Sequence, residues 1–296
     1  MASPELKVLI DAKRADPYTP EKTLAELRGA NAAAGAVIPL PEGTTCTQVD
    51  ADGVNAEWII APNADAEKTF MFIHGGGYYR GSAAASRSPA AHISAATGAR
   101  VFSIDYRLAP EHPFPGAVED ALTAYRWMLA RGADPARTMV GGVSAGGGLT
   151  LALLLKLKEV GGPLPAGAAP MSAWVDMTQS GESFVTKAEA DPTISKIYLD
   201  RMAGYYLNGA DPKTPLASPL FGDLSELPPL LMQVGTAETL MDDSRVFAER
   251  AKAAGVDVTY EAWEDLIHGW HGSAHVLPEA RDAIAHIGDF FNRVIG

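Results

Sequence analysis

The sequence predicts an α/β fold, a mostly parallel sheet of about eight strands with helices on both faces. Three observations predict it. Short runs that are apolar throughout recur along the chain, and helical patterns lie between most of them. Such runs are what strands buried on both faces look like, because neither face needs polar side chains. With 47% hydrophobic residues over 296 positions, the chain also has enough apolar material to cover both faces of a sheet.

The elements follow in order. "SPELKVLIDAKRADPYTPEKTLAELRGANAAAG" reads as two short helices broken near Pro17 and Pro20, since proline interrupts a helix. Leu6, Leu9 and Ile10 share one face of the first, Leu24 and Leu27 one face of the second. "TTCTQVDADGVNAEWIIAPN" reads as two strands joined by a turn at Asp52 and Gly53, close enough in sequence to pair antiparallel. "KTFMFIH", "ARVFSIDY", "TMVGGVS", "AGAAPMSAW", "PPLLMQVGT" and "DVTYEAWE" supply the remaining strands. Helices are expected in "SPAAHISAATG", "GAVEDALTAYRWMLARG", "GGGLTLALLLKLKEVG" and "SRVFAERAKAAG", with a terminal helix beginning around His271 and His275. One stretch around Tyr198, Tyr205 and Tyr206 is helical but too long for a simple crossover, and it reads as an inserted cap. The expected division is therefore 1–43 as an N-terminal helical cap segment, 44–176 with 216–296 as the catalytic domain, and 177–215 as the inserted cap segment.

Composition narrows the function classes. A formal net charge of -12, with the acidic residues scattered, argues against nucleic acid or an anionic membrane as partner. No apolar run is long enough to span a bilayer, and no secretory signal is read at the start. The single cysteine, Cys46, excludes an internal disulfide and a multi-cysteine metal site, and fits a reducing, cytoplasmic location. No metal or cofactor is expected.

In open α/β sheets ligands bind beyond the carboxyl ends of the strands, so the residues that follow each strand are the ones to inspect. After "RTMVG" comes "GVSAGGG", Gly142 to Gly148, a Gly-x-Ser-x-Gly between a strand and a helix. A serine on such a turn projects its hydroxyl from the sheet, and glycines two residues either side let strand and helix approach. Ser144 is the candidate nucleophile. It needs a base. Among seven histidines, His268 in "WEDLIHGWHG" follows the last strand by a short loop and is the candidate base, with His271 its main competitor. His92 and His286 fall in helical patterns, His112 in a proline-rich loop, and His275 further on. The base needs an acid partner. Glu238 lies nearest the end of "PPLLMQVG"; Asp242 and Asp243 also qualify, although carboxylates at the start of a helix are explained by capping. An oxyanion needs preorganised donors. Ala145 offers one N–H, and Gly76 and Gly77 of "HGGG" offer backbone free of side chains, with His74 bracing that loop. A Gly76→Pro change is expected to cost turnover far more than stability. Tyr78, Tyr79, Trp174 and Ile267 flank these positions and are candidates for either the pocket wall or the core.

His74–Gly77, "DYRLAPEHPFP" (Asp105 to Pro115) and Gly142–Gly147 together resemble the bacterial hormone-sensitive-lipase-like carboxylesterases, which are α/β-hydrolases with a helical cap. "SAWVDMT", "ETLMDD" and "IHGW" resemble that family in order and spacing, so the likeness runs from about Thr69 to Trp270. The resemblance implies an α/β-hydrolase fold and a serine esterase acting through an acyl-enzyme on short- to medium-chain carboxylic esters. It puts Ser144, Glu238 and His268 in the triad, Glu238 standing where most members carry aspartate and Val143 where many carry Asp or Thr. Asp105, Arg107 and Glu111 would form a charged network bracing their loop. The expected partner is a small-molecule ester, and the resemblance allows a homodimer through "DVTYEAW" and the terminal helix. Two rival readings are a lactonase or specialised metabolite ester hydrolase on the same fold, and a non-catalytic small-molecule-binding protein, which should lack a triad member or the oxyanion loop.

Overall fold

In the computed structural model residues 3–15 and 22–296 are described, so the helix break expected near Pro17 and Pro20 lies outside the described residues. These residues form one eight-stranded sheet and nine α-helices. Helices α1 (Pro4–Ala15) and α2 (Leu24–Ala36) come first, α2 opening with a capping box in which Thr23 and Glu26 satisfy each other's free N–H groups. The hairpin β1 (Thr45–Ala51) and β2 (Val54–Ile60) turns at Asp52 and Gly53, both at positive φ as a two-residue hairpin loop prefers.

The alternation expected from sequence follows. Strand β3 (Asp65–Ile73), helix α3 (Arg87–Thr97), strand β4 (Ala99–Ile104), helix α4 (Gly116–Ala130), strand β5 (Thr138–Val143), helix α5 (Ala145–Glu159) and strand β6 (Gly167–Met171) lead to two further helices, α6 (Ser183–Thr186) and α7 (Lys196–Leu207). Strand β7 (Leu230–Gly235), helix α8 (Met241–Ala253), strand β8 (Val258–Trp263) and helix α9 (Pro278–Ile295) close the chain.

The sheet order is β1-β2-β4-β3-β5-β6-β7-β8, and β2 alone runs against the others. Side chains alternate across a strand. Phe70 and Phe72 of β3 therefore join α3 and α9 in one core layer, while Met71 and Ile73 join α4, α5 and α7 in the other. A third cluster packs α5 and α8 over β6 to β8. From β3 the chain moves outward to β4, and after β5 it moves the other way to β6. The crevice between the carboxyl ends of β3 and β5 is thus the switch point where such sheets bind ligands. No helix among the described residues is long and apolar enough to cross a membrane.

Candidate active site

Ser144 stands between β5 and α5 at φ 59°, ψ -120°, a conformation that costs a side-chain-bearing residue roughly 1–3 kcal/mol. The surroundings hold it there. Its N–H donates to Met171 O (2.9 Å), and its carbonyl accepts from Gly148 N (3.0 Å) and Trp174 N (3.1 Å). The motif glycines make the turn possible by close approach. A Cβ on Gly142 would lie 2.4 Å from Ile73 O, and one on Gly146 would lie 2.1 Å from the same oxygen. The start of α5 is pressed against the end of β3, leaving Ser144 at the mouth of the switch-point crevice.

His268 and Glu238 come from the loops after β8 and β7. His268 Nδ1 lies 2.8 Å from Glu238 Oε2. An ionised carboxylate only accepts, so Nδ1 carries the proton and Nε2 is left as the basic nitrogen. Burial works to lower the His268 pKa, but the hydrogen bond and charge of Glu238 outweigh it, and the pKa rises above 6.5. The second carboxylate oxygen, Oε1, accepts from Gly235 N (2.7 Å) and Ser172 Oγ (2.7 Å). Ser172 directly follows β6 at φ 46°, and its Oγ also accepts from Gly269 N at 3.3 Å. It ties the loop of Glu238 to the loop of His268.

The competing residues are committed elsewhere. Asp242 accepts from Ser183 N and Arg245, and the buried Asp243 accepts from Val175 N and Asp176 N. Burial pushes the Asp243 carboxyl well above the ordinary range. His271 lies in the core, donating from Nε2 to Gln233 Oε1 (3.0 Å), and burial pulls its pKa down to about 3.

The glycine loop after β3 approaches Ser144 from the other side of the crevice. Gly76 (φ 122°) and Gly77 (φ 61°) both need conformations that side chains disfavour. Among the described residues, the N–H groups of Gly76, Gly77 and Ala145 donate to no protein acceptor. A Cβ on Gly76 would stand 2.2 Å from Arg80 O, and proline cannot reach φ 122°. The Gly76→Pro expectation therefore needs correction: that change dismantles the loop as well as removing a donor. His74 is buried, stacks on Tyr106 (4.3 Å) and donates from Nδ1 to Gly75 O (2.8 Å), with burial lowering its pKa. Arg28 of α2 secures the loop from outside, donating to Tyr79 O and Ala109 O and pairing with Glu111. Arg107 pairs with Asp120 and Glu119, and Asp105 accepts from Ala83 N, so the three charges of "DYRLAPE" brace separate partners rather than one another.

Ser144, His268, Gly76 and Gly77 line one cavity of about 430 Å³. Its wall also draws on α1 (Leu9, Lys13), α2 (Asn31, Ala34), and the stretch from Thr193 into α7 (Ile194, Tyr198). Ile267 lies on this wall. Tyr78, Tyr79 and Trp174 are buried in the core instead: Tyr78 stacks on Tyr206 at 3.8 Å, and the Tyr79 hydroxyl meets that of Tyr198 at 3.0 Å.

Comparison with known proteins agrees with this fold. A family model described as the alpha/beta hydrolase fold matches residues 70–272. The chain is 44% identical over 241 residues to an acetyl-hydrolase of Streptomyces hygroscopicus, covering 81% of this chain and 80% of that protein. It is 36% identical over 239 residues to an esterase of Acinetobacter venetianus, covering 80% and 78%. A crystal structure of an esterase from the bacterial hormone-sensitive lipase family superposes with a TM-score of 0.97 at 48% identity, over 100% of both chains. The chain belongs to this family of carboxylic ester hydrolases.

For this hormone-sensitive-lipase-family esterase, the sequence motifs located the strand-end loops but missed part of what surrounds them. Ser172 went unassigned, although it immediately follows an apolar strand and the rule that flagged Ser144 applies to it too. Lys13, Arg80 and Thr193 on the cavity wall come from three distant segments, and no local pattern joins them.

Proposed function

We propose that this esterase hydrolyses short- to medium-chain carboxylic esters through an acyl-enzyme, with Ser144 as nucleophile, His268 as base and Glu238 as the acid that orients it. His268 Nε2 takes the Ser144 proton as Oγ attacks the ester carbonyl. The oxyanion is held by the N–H groups of Gly76, Gly77 and Ala145, the last at the positive end of α5. The imidazolium, stabilised by Glu238, then protonates the departing alcohol. Water repeats the sequence on the acyl-enzyme.

The observation that carries this reading is the His268–Glu238 hydrogen bond, which leaves Nε2 basic in the cavity that Ser144 enters on its strained turn. A volume of about 430 Å³ suits a small ester. The acetyl-hydrolase relative supports a short acyl group. In this reading 1–43 and 177–215 form the cap, because α1, α2 and α7 each contribute wall residues. The lone Cys46 supports a cytoplasmic setting. A homodimer through β8 and α9 is supported by β8 ending the sheet with one edge unpaired among the described residues.

The test is hydrolysis of 4-nitrophenyl butyrate together with labelling by a fluorophosphonate. Wild-type protein should turn over the ester and take the label on Ser144; Ser144→Ala should do neither. Retention of turnover in Ser144→Ala would sink the mechanism.

A further inference from the structure

Arg80 follows the glycine loop, its N–H donating back to Gly76 O at 3.1 Å, and it is one of the residues that line the cavity holding Ser144 and His268. The chain has 36 acidic residues and a formal net charge of -12, yet among the described residues no carboxylate pairs with this guanidinium. Its described neighbours are the faces of Tyr79 and Tyr198, at 5.6 and 5.8 Å from its central carbon. Those rings hold the cation without using its N–H groups. Nε is buried with no acceptor in the protein, and so is the hydroxyl of Thr193, which lines the same wall from just before α7. Both atoms lie within the wall rather than on its open face, and a buried donor without an acceptor costs free energy, so a small side-chain shift that brings either to an acceptor in the cavity is favourable. The described residues of that wall include no Asp or Glu, while Lys13 adds a second positive charge, close enough to oppose protonation of His268.

We infer that the cavity selects esters that themselves carry a carboxylate, with Arg80 as the residue that receives it and Thr193 as an auxiliary donor. The inference rests on Ser144 and His268 being the reacting pair and adds the substrate class. A planar guanidinium presents parallel N–H groups that match the two oxygens of a carboxylate. A neutral ester leaves those donors unmet. The chemistry implied is a half-ester of a dicarboxylic acid, or an acylated hydroxy acid, with the free carboxylate a few methylenes from the scissile carbonyl.

Steady-state hydrolysis followed by pH-stat separates these. Ethyl hydrogen glutarate is compared with ethyl pentanoate, which places the carboxylate on the acyl side. The second pair, 4-acetoxybutanoate and butyl acetate, places it on the alcohol side. In wild-type protein one carboxylate ester should exceed its neutral partner by about tenfold in kcat/KM, carried by KM, and that ratio should fall with about 0.5 M NaCl. In Arg80→Gln the ratio should drop by about tenfold, and Arg80→Lys should retain part of it because the charge stays but the fork is lost. Two results overturn the inference while leaving the triad intact: no carboxylate preference in wild type, or a ratio unchanged in Arg80→Gln. If Arg80→Gln slows charged and neutral esters equally and lowers Tm, its role is to hold α7 through the tyrosines, and the inference is wrong. If wild type hydrolyses neither these probes nor 4-nitrophenyl butyrate, the triad reading fails and takes this one with it.

Discussion

Glu238 divides its carboxylate between two tasks: Oε2 holds His268 Nδ1 at 2.8 Å, and Oε1 is itself held by Gly235 N and Ser172 Oγ, both at 2.7 Å. Both oxygens are occupied, so the side chain is fixed at the far end from the imidazole. Asp242, the nearest rival in sequence, spends its carboxylate on Ser183 N and Arg245. Glu238→Gln should lower kcat for 4-nitrophenyl butyrate by roughly 10³-fold, by offering the wrong tautomer to His268. Asp242→Asn should stay within about fivefold of wild type. The opposite ranking would reassign the acid.

In the proposed mechanism Ser172 acts through Glu238 rather than on substrate. Removing its hydroxyl leaves Glu238 Oε1 with one donor and Gly269 N without its acceptor. Ser172→Ala should lower kcat by roughly tenfold with KM little changed, since orientation is lost and binding is not. A double-mutant cycle distinguishes this from general damage. If Ser172 works by positioning Glu238, its deletion should cost much less in a Glu238→Gln background; full additivity would argue for an independent structural role.

The candidate site was legible to the extent that its side chains sit immediately after strands. The apolar runs ending at Ile73, Val143 and Gly235 located the glycine loop, Ser144 and Glu238 without any knowledge of packing. Direction was not legible. Tyr78 and Trp174 are near neighbours of candidate site positions in sequence, but the backbone at Tyr78, at φ 63°, sends its ring into the core against Tyr206. Adjacency along a chain does not say which side of the sheet a side chain enters. The cavity wall was least legible, because α1, α2 and α7 meet there through contacts that span most of the sequence.

Two histidines three residues apart respond to pH in opposite directions. His268 has a folded pKa raised above 6.5, so its pairing with Glu238 adds stability that is full below 6.5 and is lost as pH rises through the folded value. In the proposed mechanism the base is the neutral imidazole, so kcat/KM should climb with pH through that same value, with a midpoint above 6.5. In Glu238→Gln, burial acts without its counterweight, and the His268 titration followed by NMR should move below that of wild type. An unchanged midpoint would mean that Glu238 does not set it.

His271 is buried neutral, with its folded pKa near 3 and its unfolded value near 6.5, so the unfolded chain binds the extra proton and stability falls as pH drops across that window. The slope from one such group is at most about 1.4 kcal/mol per pH unit. Urea unfolding between about pH 7 and pH 5 should therefore show a steeper loss in wild type than in His271→Gln, which keeps a polar group beside Gln233 but takes up no proton. Parallel slopes would show that His271 is not buried neutral as the structure has it.

The glycines around Ser144 set a test in which local preference and tertiary packing disagree. Gly146 lies inside α5, where alanine is favoured over glycine by about 1 kcal/mol on helix propensity alone. Its missing side chain, however, faces Ile73 O, and a Cβ there would stand 2.1 Å from that oxygen and 2.5 Å from His74 O. Backbone on both sides leaves no flexible group to move aside, and overpacking of this kind costs roughly 1–3 kcal/mol or more. The packing cost exceeds the propensity gain, so Gly146→Ala should lower Tm by several degrees and move Ser144 relative to the glycine loop, cutting kcat more than it raises KM. Gly204, also helical but with open space where a Cβ would go, is the control: Gly204→Ala should hold or raise Tm. Similar responses from the two variants would mean that α5 does not meet the end of β3 as closely as the structure shows.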